Sequence, residues 1–178
     1  MVRSNAIEII ARHLSLNAGR LAALAQRAAE AGELPRACGR AVPDLSPAGL
    51  AKLLLCAIAD RGLGNAATSV REFAALRNEG GTTLLDLIEG LMSGAVSVAG
   101  VHSLIAQLDP AAVTVVTDGG RLSYGPEREQ SAASRIITVP GAALRAIIAE
   151  FRGNALHPAP PLASVAARIS ATAHTKAA

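Results

Sequence analysis

Side chains able to do acid–base or metal chemistry are scattered along this chain. The chain contains four histidines, and no two of them have the spacing of metal ligands. They are His13, His102, His157 and His174. Asp86 and Glu89 lie three residues apart, but this spacing is more typical of the polar stripe of an amphipathic helix than of an acid–base pair. No serine stands in a G-x-S-x-G pattern, and Gly119-Gly120 lacks the lysine of a phosphate-binding loop. We therefore predict a non-enzymatic protein with no metal site and no cofactor.

Arginine supplies nearly all of the positive charge, and the N-terminal quarter is rich in it. Residues 1–45 contain six arginines against four acidic residues, whereas residues 46–100 contain four basic and five acidic residues. A guanidinium group can bridge a guanine edge bidentately, and an asparagine amide can do so with adenine. Arginine also binds phosphate without regard to sequence. The formal net charge of +3 permits an anionic partner but does not demand one.

Two amphipathic helices are predicted to carry these arginines. Asn5 and Glu8 have the spacing of a capping box, so the first helix is expected to begin near residue 4 or 5. Ser15-Leu16-Asn17 interrupts the pattern, and a second helix is expected over about 18–31. Gly32 then suits a left-handed helix end before Pro35. The predicted buried faces are Ile7, Ile10, Ala11 and Leu14, then Leu21, Leu24, Ala25 and Ala28.

This segment, AIEIIARHLSLNAGRLAALAQRAAEAGELPRA, resembles the helix-turn-helix of winged-helix and related DNA-binding proteins. In that family the second helix lies in the major groove of DNA. The resemblance therefore implies that Asn17, Arg20 and Arg27 face base edges. The residues that it assigns to phosphate contacts are Arg12, Arg36 and Arg40. Residues 35–45 are too short and contain too much proline to predict the β-hairpin wing of a winged helix.

Further helices and a small sheet are predicted beyond this link. Ser46-Pro47 opens a third helix that runs to about residue 61, and a fourth covers about 66–77 with Ser69 and Glu72 as a capping box. A fifth helix covers about 83–93. Past Gly94, residues 102–108 suit a strand or an irregular extension. The later elements are a hairpin of 112–117 and 121–125 around Asp118-Gly119-Gly120, a strand at 135–139, and a helix from about 140 to 152.

The predicted fold is mainly α with a small C-terminal part that contains a β-hairpin, an α+β arrangement. We expect a helix-turn-helix unit and link at 1–45, a helical core and oligomerisation unit at 46–94, a small α+β unit at 95–153 and an Ala/Pro-rich mobile tail at 154–178. This order resembles that of temperate-phage DNA-binding proteins, including small terminase subunits.

Composition points to a cytoplasmic protein. The N-terminus reaches charged residues too soon for a signal peptide, and no apolar stretch approaches the length of a membrane span. Cys38 and Cys56 have no redox or metal spacing, and Cys56 lies in an apolar run where a free thiol acts as a core residue. Aromatic residues make up only 2% of the chain, so the core must consist of Leu, Ile, Val and Ala.

The arginines of the two N-terminal helices allow two interpretations, each of which predicts a different function. The first is an oligomeric transcriptional regulator or phage DNA-packaging protein that reads duplex DNA. The second is an inhibitor or adaptor that never binds DNA and engages another protein through its C-terminal hairpin edge or tail. Exposure of Arg20 and Arg27 on one surface with other arginines favours DNA, whereas pairing with acids such as Glu30, Glu33 or Asp44 favours the second function.

Overall fold

A computed structural model gives the fold of residues 1–36, 44–126 and 134–153. Within these ranges the chain forms six α-helices and one four-stranded antiparallel sheet, so the predicted α+β class with a small sheet is confirmed. The elements are α1 (Arg3–His13), α2 (Ala18–Glu30), α3 (Pro47–Ile58), α4 (Ala66–Ala75), α5 (Leu84–Ser93), β1 (Val101–Gln107), β2 (Ala112–Thr117), β3 (Gly120–Tyr124), β4 (Ile136–Pro140) and α6 (Gly141–Phe151). The predicted tail at 154–178 lies outside the described residues.

Helix α1 begins earlier than predicted because a distant segment holds the chain in front of it. The backbone of Val2 forms a β-bridge with Asp44, and the Leu45 N–H donates to the Met1 carbonyl at 2.8 Å. This pairing places the helix start at Arg3, with no side-chain cap. The predicted Asn5 capping box is therefore wrong, since Asn5 lies inside the first turn.

The turn between α1 and α2 follows the local sequence closely. The Asn17 side chain caps α2 by accepting a hydrogen bond from the Arg20 N–H at 2.9 Å. Ser15 adopts a left-handed conformation with φ 53°, which reverses the chain within a few residues. Gly32, with φ 83°, ends the second helix as predicted.

Helix α3 is surrounded by other elements, and nine of its twelve residues are buried. Ser46 caps it by accepting from the Gly49 N–H at 3.1 Å, as its sequence predicted. Helix α4 is shorter than predicted and follows a 3-10 turn at Leu63–Asn65. Ser69 is buried inside α4, so the predicted Ser69–Glu72 capping box is wrong. Helix α5 instead has a capping box, formed by Thr83 and Asp86.

The sheet has the strand order β3-β2-β1-β4, with every neighbouring pair antiparallel. The predicted hairpin is confirmed as β2 and β3, and the strand predicted at 135–139 is β4. Strand β4 crosses to the far side of β1, so β3 and β4 form the two edges. One face of the sheet buries Leu104, Val115 and Val139 in the core, and the other, which we call the outer face, carries Ile105, Thr114 and Thr138.

A single hydrophobic core extends through all of these elements. It joins Ile10 of α1 and Leu21 of α2 to Leu54 of α3, and continues to Leu104 of the sheet and Ile147 of α6. The first two helices therefore share their core with the middle helices. Within the described ranges, no helix has the length and apolar content required to cross a bilayer.

Gly141 allows α6 to start directly against strand β1. A Cβ at this position would lie 2.7 Å from the His102 carbonyl oxygen and would also clash with the Val101 carbonyl. Because both neighbours are backbone atoms of the sheet, we expect Gly141→Ala to lower the free energy of unfolding by about 3 kcal/mol. Urea denaturation measures this loss. The control is Gly64→Ala, where a Cβ meets no atom within 4 Å; equal stability of the two variants would contradict the prediction.

Candidate functional site

The exposed face of α2 carries the side chains that the sequence assigned to base contacts. Arg20 and Arg27 are exposed, with 47% and 63% of their side-chain surface accessible. Arg27 Nη1 lies 3.1 Å from the Glu30 carboxylate one turn further along the helix. The Oδ1 atom of Asn17 is already bonded to the Arg20 N–H. A basic surface at this helix is therefore partly neutralised from within α2.

Arg20 is held by a bidentate ion pair with Asp60, which follows the end of α3. Its Nε and Nη2 atoms each donate to one carboxylate oxygen at 2.9 Å. The hydrogen bond from Arg20 lowers the pKa of Asp60, and the Gly62 N–H, donating at 2.8 Å, contributes to the same shift. The carboxylate stays ionised, so Arg20 and Asp60 together present no net charge.

The arginines assigned to phosphate contacts are also bound by acceptors of the chain. Arg12 and His13, at the end of α1, both contact Glu150 of α6; His13 Nε2 lies 2.6 Å from the carboxylate. The hydrogen bond from His13, and then that from Arg12, lowers the pKa of Glu150. Arg36 donates to the carbonyls of Ala29, at 2.9 Å, and Glu30. Arg40 lies outside the described residues.

The predicted DNA-binding residues thus do not form one free basic patch in the part of the chain that is described. Arg20 and Arg27 share the face of α2, whereas Arg12 is bonded to α6 and Arg36 closes the carboxyl end of α2. Arg12, Arg20 and Arg27 each face a carboxylate. The sequence contained no sign of Asp60 or Glu150 as partners, because both are far away along the chain.

A second candidate surface lies along the free edge of β3. A groove of about 380 Å³, which we call the edge groove, separates residues 78–80 from Arg121, Leu122 and Ser123. Leu122 is one of the exposed large hydrophobic residues, with 41% of its surface accessible. Strand β3 pairs with β2 alone among the described strands. An edge strand of this kind presents unpaired backbone donors and acceptors.

A third candidate surface is a cavity on the outer face of the sheet, which we call the outer cavity. Its volume is about 380 Å³. Its lining residues are Ile105, Gln107, Ala112, Val113, Thr114, Arg121, Ser123, Tyr124, Pro126 and Ile136. Gln107 is only 4% exposed, and neither its Nε2 nor its Oε1 has a hydrogen-bond partner among the described residues. Sequence reasoning missed Gln107, since a polar residue at a strand end is usually solvated.

Cysteine and histidine side chains are the most reactive groups among the described residues. Over residues 1–36, 44–126 and 134–153, no cluster of three or more His, Cys, Asp or Glu side chains is arranged to hold a metal ion. Cys56 is buried as the sequence predicted, and burial raises the pKa of its thiol to about 12. Its thiolate is therefore scarce at neutral pH. His102 and Asp118 form an exposed pair, 2.6 Å apart, beside the hairpin turn.

Glu33 joins two helices through its carboxylate. It lies 3.1 Å from Lys52 Nζ of α3 and 2.9 Å from Arg71 Nη2 of α4. Burial opposes its ionisation, but the hydrogen bonds from Lys52 and Arg71 outweigh burial and lower the pKa of Glu33. A lowered folded-state pKa means that the carboxylate stabilises the fold above its unfolded pKa of about 4, and that this stabilisation is lost as the pH falls through the folded pKa.

We therefore expect Glu33→Gln to destabilise the protein by about 1 kcal/mol at about pH 7 and by much less at about pH 2. Urea denaturation at both pH values measures the difference. The matched control is Glu8→Gln, because Glu8 is exposed and forms no ion pair with another described residue. A loss of stability in Glu33→Gln that is independent of pH would refute the ion-pair account.

No protein-family model, no curated protein and no solved structure matches the chain.

Proposed function

We propose that this chain is a non-enzymatic protein-interaction module that binds an extended segment of a partner protein along the free edge of β3. The observation that carries the proposal is the edge groove, in which β3 lies open beside residues 78–80. Pairing of Arg12, Arg20 and Arg27 with carboxylates of the chain supports it further, because it reduces the positive charge that a DNA surface needs.

Strand addition would use the backbone of β3 for affinity and its side chains for specificity. Side chains alternate across a strand, so Leu122 lies on one face and Arg121 and Ser123 lie on the other. Leu122 offers an apolar contact, and Arg121 offers a cation. The segment that fits this edge has an apolar residue beside Leu122 and a carboxylate beside Arg121.

A substitution on the exposed edge of β3 tests the proposal. Lysine on an edge strand opposes pairing with another strand, so we expect Leu122→Lys to weaken binding of an extended peptide by about tenfold or more. Short random peptides displayed on phage and selected against the full chain supply the ligand, and fluorescence anisotropy measures its affinity. Hydrogen exchange is expected to slow at residues 120–124 when the peptide binds.

Leu63→Lys is the matched control, because Leu63 is exposed to a similar extent, 38% against 41% for Leu122, and lies away from the sheet. We expect it to bind the selected peptides as the wild type does. Selection of no alternating peptide, or equal binding by Leu122→Lys, would overturn the proposal. Self-association of the wild type that Leu122→Lys abolishes would instead assign the edge to a second copy of this chain.

A second candidate function is binding of duplex DNA through α2, as in a transcriptional regulator or small-terminase-like protein. One observation favours it: Arg20 and Arg27 are both exposed on a helix that follows a tight turn. Exposed ion pairs contribute only about 0–1 kcal/mol each, so phosphate groups can compete for the arginines.

Titration of a labelled mixed-sequence duplex with wild type and with Arg20→Ala/Arg27→Ala tests this candidate. DNA binding through α2 predicts micromolar affinity that falls with salt and drops about tenfold or more in the double variant. Arg77→Ala/Arg121→Ala, which alters two exposed arginines outside α1 and α2, is the control. Absence of binding by folded wild type at low salt would exclude this candidate.

A further inference from the structure

The outer cavity contains a polar group that the fold leaves without a described partner. Gln107 stands at the end of β1, opposite Ala112 of β2 and Ile136 of β4. Its side chain is almost fully buried, and both the amide nitrogen and the amide oxygen lack a hydrogen-bond partner among the described residues. Buried amides are nearly always paired, because the loss of hydration is otherwise uncompensated. An unpaired amide in the wall of a cavity points to a ligand that completes it.

The chemistry of the cavity restricts that ligand. A carboxamide presents one acceptor and one donor side by side in a plane. The group that satisfies both at once is planar and carries an adjacent donor and acceptor of its own. Ile105 and Ile136 give the cavity apolar walls, while the hydroxyl groups of Thr114 and Ser123 are further polar lining groups. Its volume of about 380 Å³ falls within the range of small-molecule sites.

We infer that the outer cavity binds a small molecule through a planar amide-like edge that pairs with Gln107. A carboxamide, a lactam and a nucleobase edge share this chemistry. Gln107 is neutral at all ordinary pH values and transfers no proton, so the site is one of binding. This site goes beyond the proposed strand addition: Arg121 and Ser123 line both the outer cavity and the edge groove, but Gln107 and Thr114 line the outer cavity and not the edge groove.

Titration of the ¹⁵N-labelled full chain with benzamide and with uracil tests the inference by NMR. We expect at least one of them to shift the side-chain NH₂ signals of Gln107 and the backbone signals of Ile105 and Thr114, which line the outer cavity and not the edge groove. N,N-dimethylbenzamide and 1,3-dimethyluracil lack the N–H donors, so each is expected to bind about tenfold more weakly than its parent. Response to benzamide alone assigns a carboxamide ligand, and response to uracil alone assigns a nucleobase or lactam. No shift with either compound, or equal binding of the methylated compounds, would overturn the inference.

The variant Gln107→Met tests the inference through the Tm of the protein as well as through ligand binding. Methionine fills a similar volume without the unpaired amide, so we expect the Tm to rise by about 2–6 °C and the binding of the responding compound to fall at least about tenfold. Gln26→Met, at an exposed position on α2, is the control and is expected to keep the binding unchanged. A lower Tm in Gln107→Met would show that the chain itself satisfies the amide, and retained binding would show that Gln107 is not part of the site. Either result would refute the inference.

Discussion

Helix α3 is apolar around most of its circumference, with Lys52 as its one charged residue, and the fold depends on covering its apolar sides. Nine of its twelve residues are buried, including the continuous run from Leu53 to Ile58. A helix of this kind cannot lie on a surface without exposing a large apolar stripe to water. The other helices pack around it, and the resulting core continues into one face of the sheet. The chain from α1 to α6 therefore packs around one core.

Ion pairs connect the first two helices to the rest of this core. Arg20 bonds to Asp60 after α3, Arg12 bonds to Glu150 of α6, and Glu33 connects α3 to α4. Each ion pair of this kind stabilises the contact between two elements. The paired carboxylate also offsets the positive charge that the arginine presents at the surface. Arg12, Arg20 and Arg27 thus each face a carboxylate once the chain is folded, whereas Arg36 donates to backbone carbonyls.

The sheet has hydrogen-bonding groups that lack a partner among the described residues. Its inner face is buried against α6 and the core, whereas its outer face borders the outer cavity and the β3 edge borders the edge groove; Arg121 and Ser123 line both. Backbone groups at an open edge and a buried amide such as Gln107 both have hydrogen-bonding capacity that the described residues leave unused. Unused hydrogen-bonding capacity of this kind is where binding free energy is available.

Features that depend on near neighbours along the chain could be predicted from the amino-acid sequence. The cap at Asn17, the left-handed Gly32, the Ser46-Pro47 helix start and the Asp118-Gly119 hairpin turn each involve atoms only a few residues apart. Alternating and helical patterns of apolar residues likewise predicted nearly all of the helices and strands, because each pattern reports which face of one element avoids water.

Which of these elements contact one another depends on the packing of the whole fold. Asp60 lies 40 residues from Arg20, Glu150 lies 138 residues from Arg12, and the early start of α1 depends on Asp44. The order of the strands and the burial of Gln107 also arise from long-range packing. Pairing of this kind is set by the shape of the whole core and leaves no periodic pattern along the chain. For that reason the arginines could be located from the sequence, while their partners, and hence the charge that they present, could not.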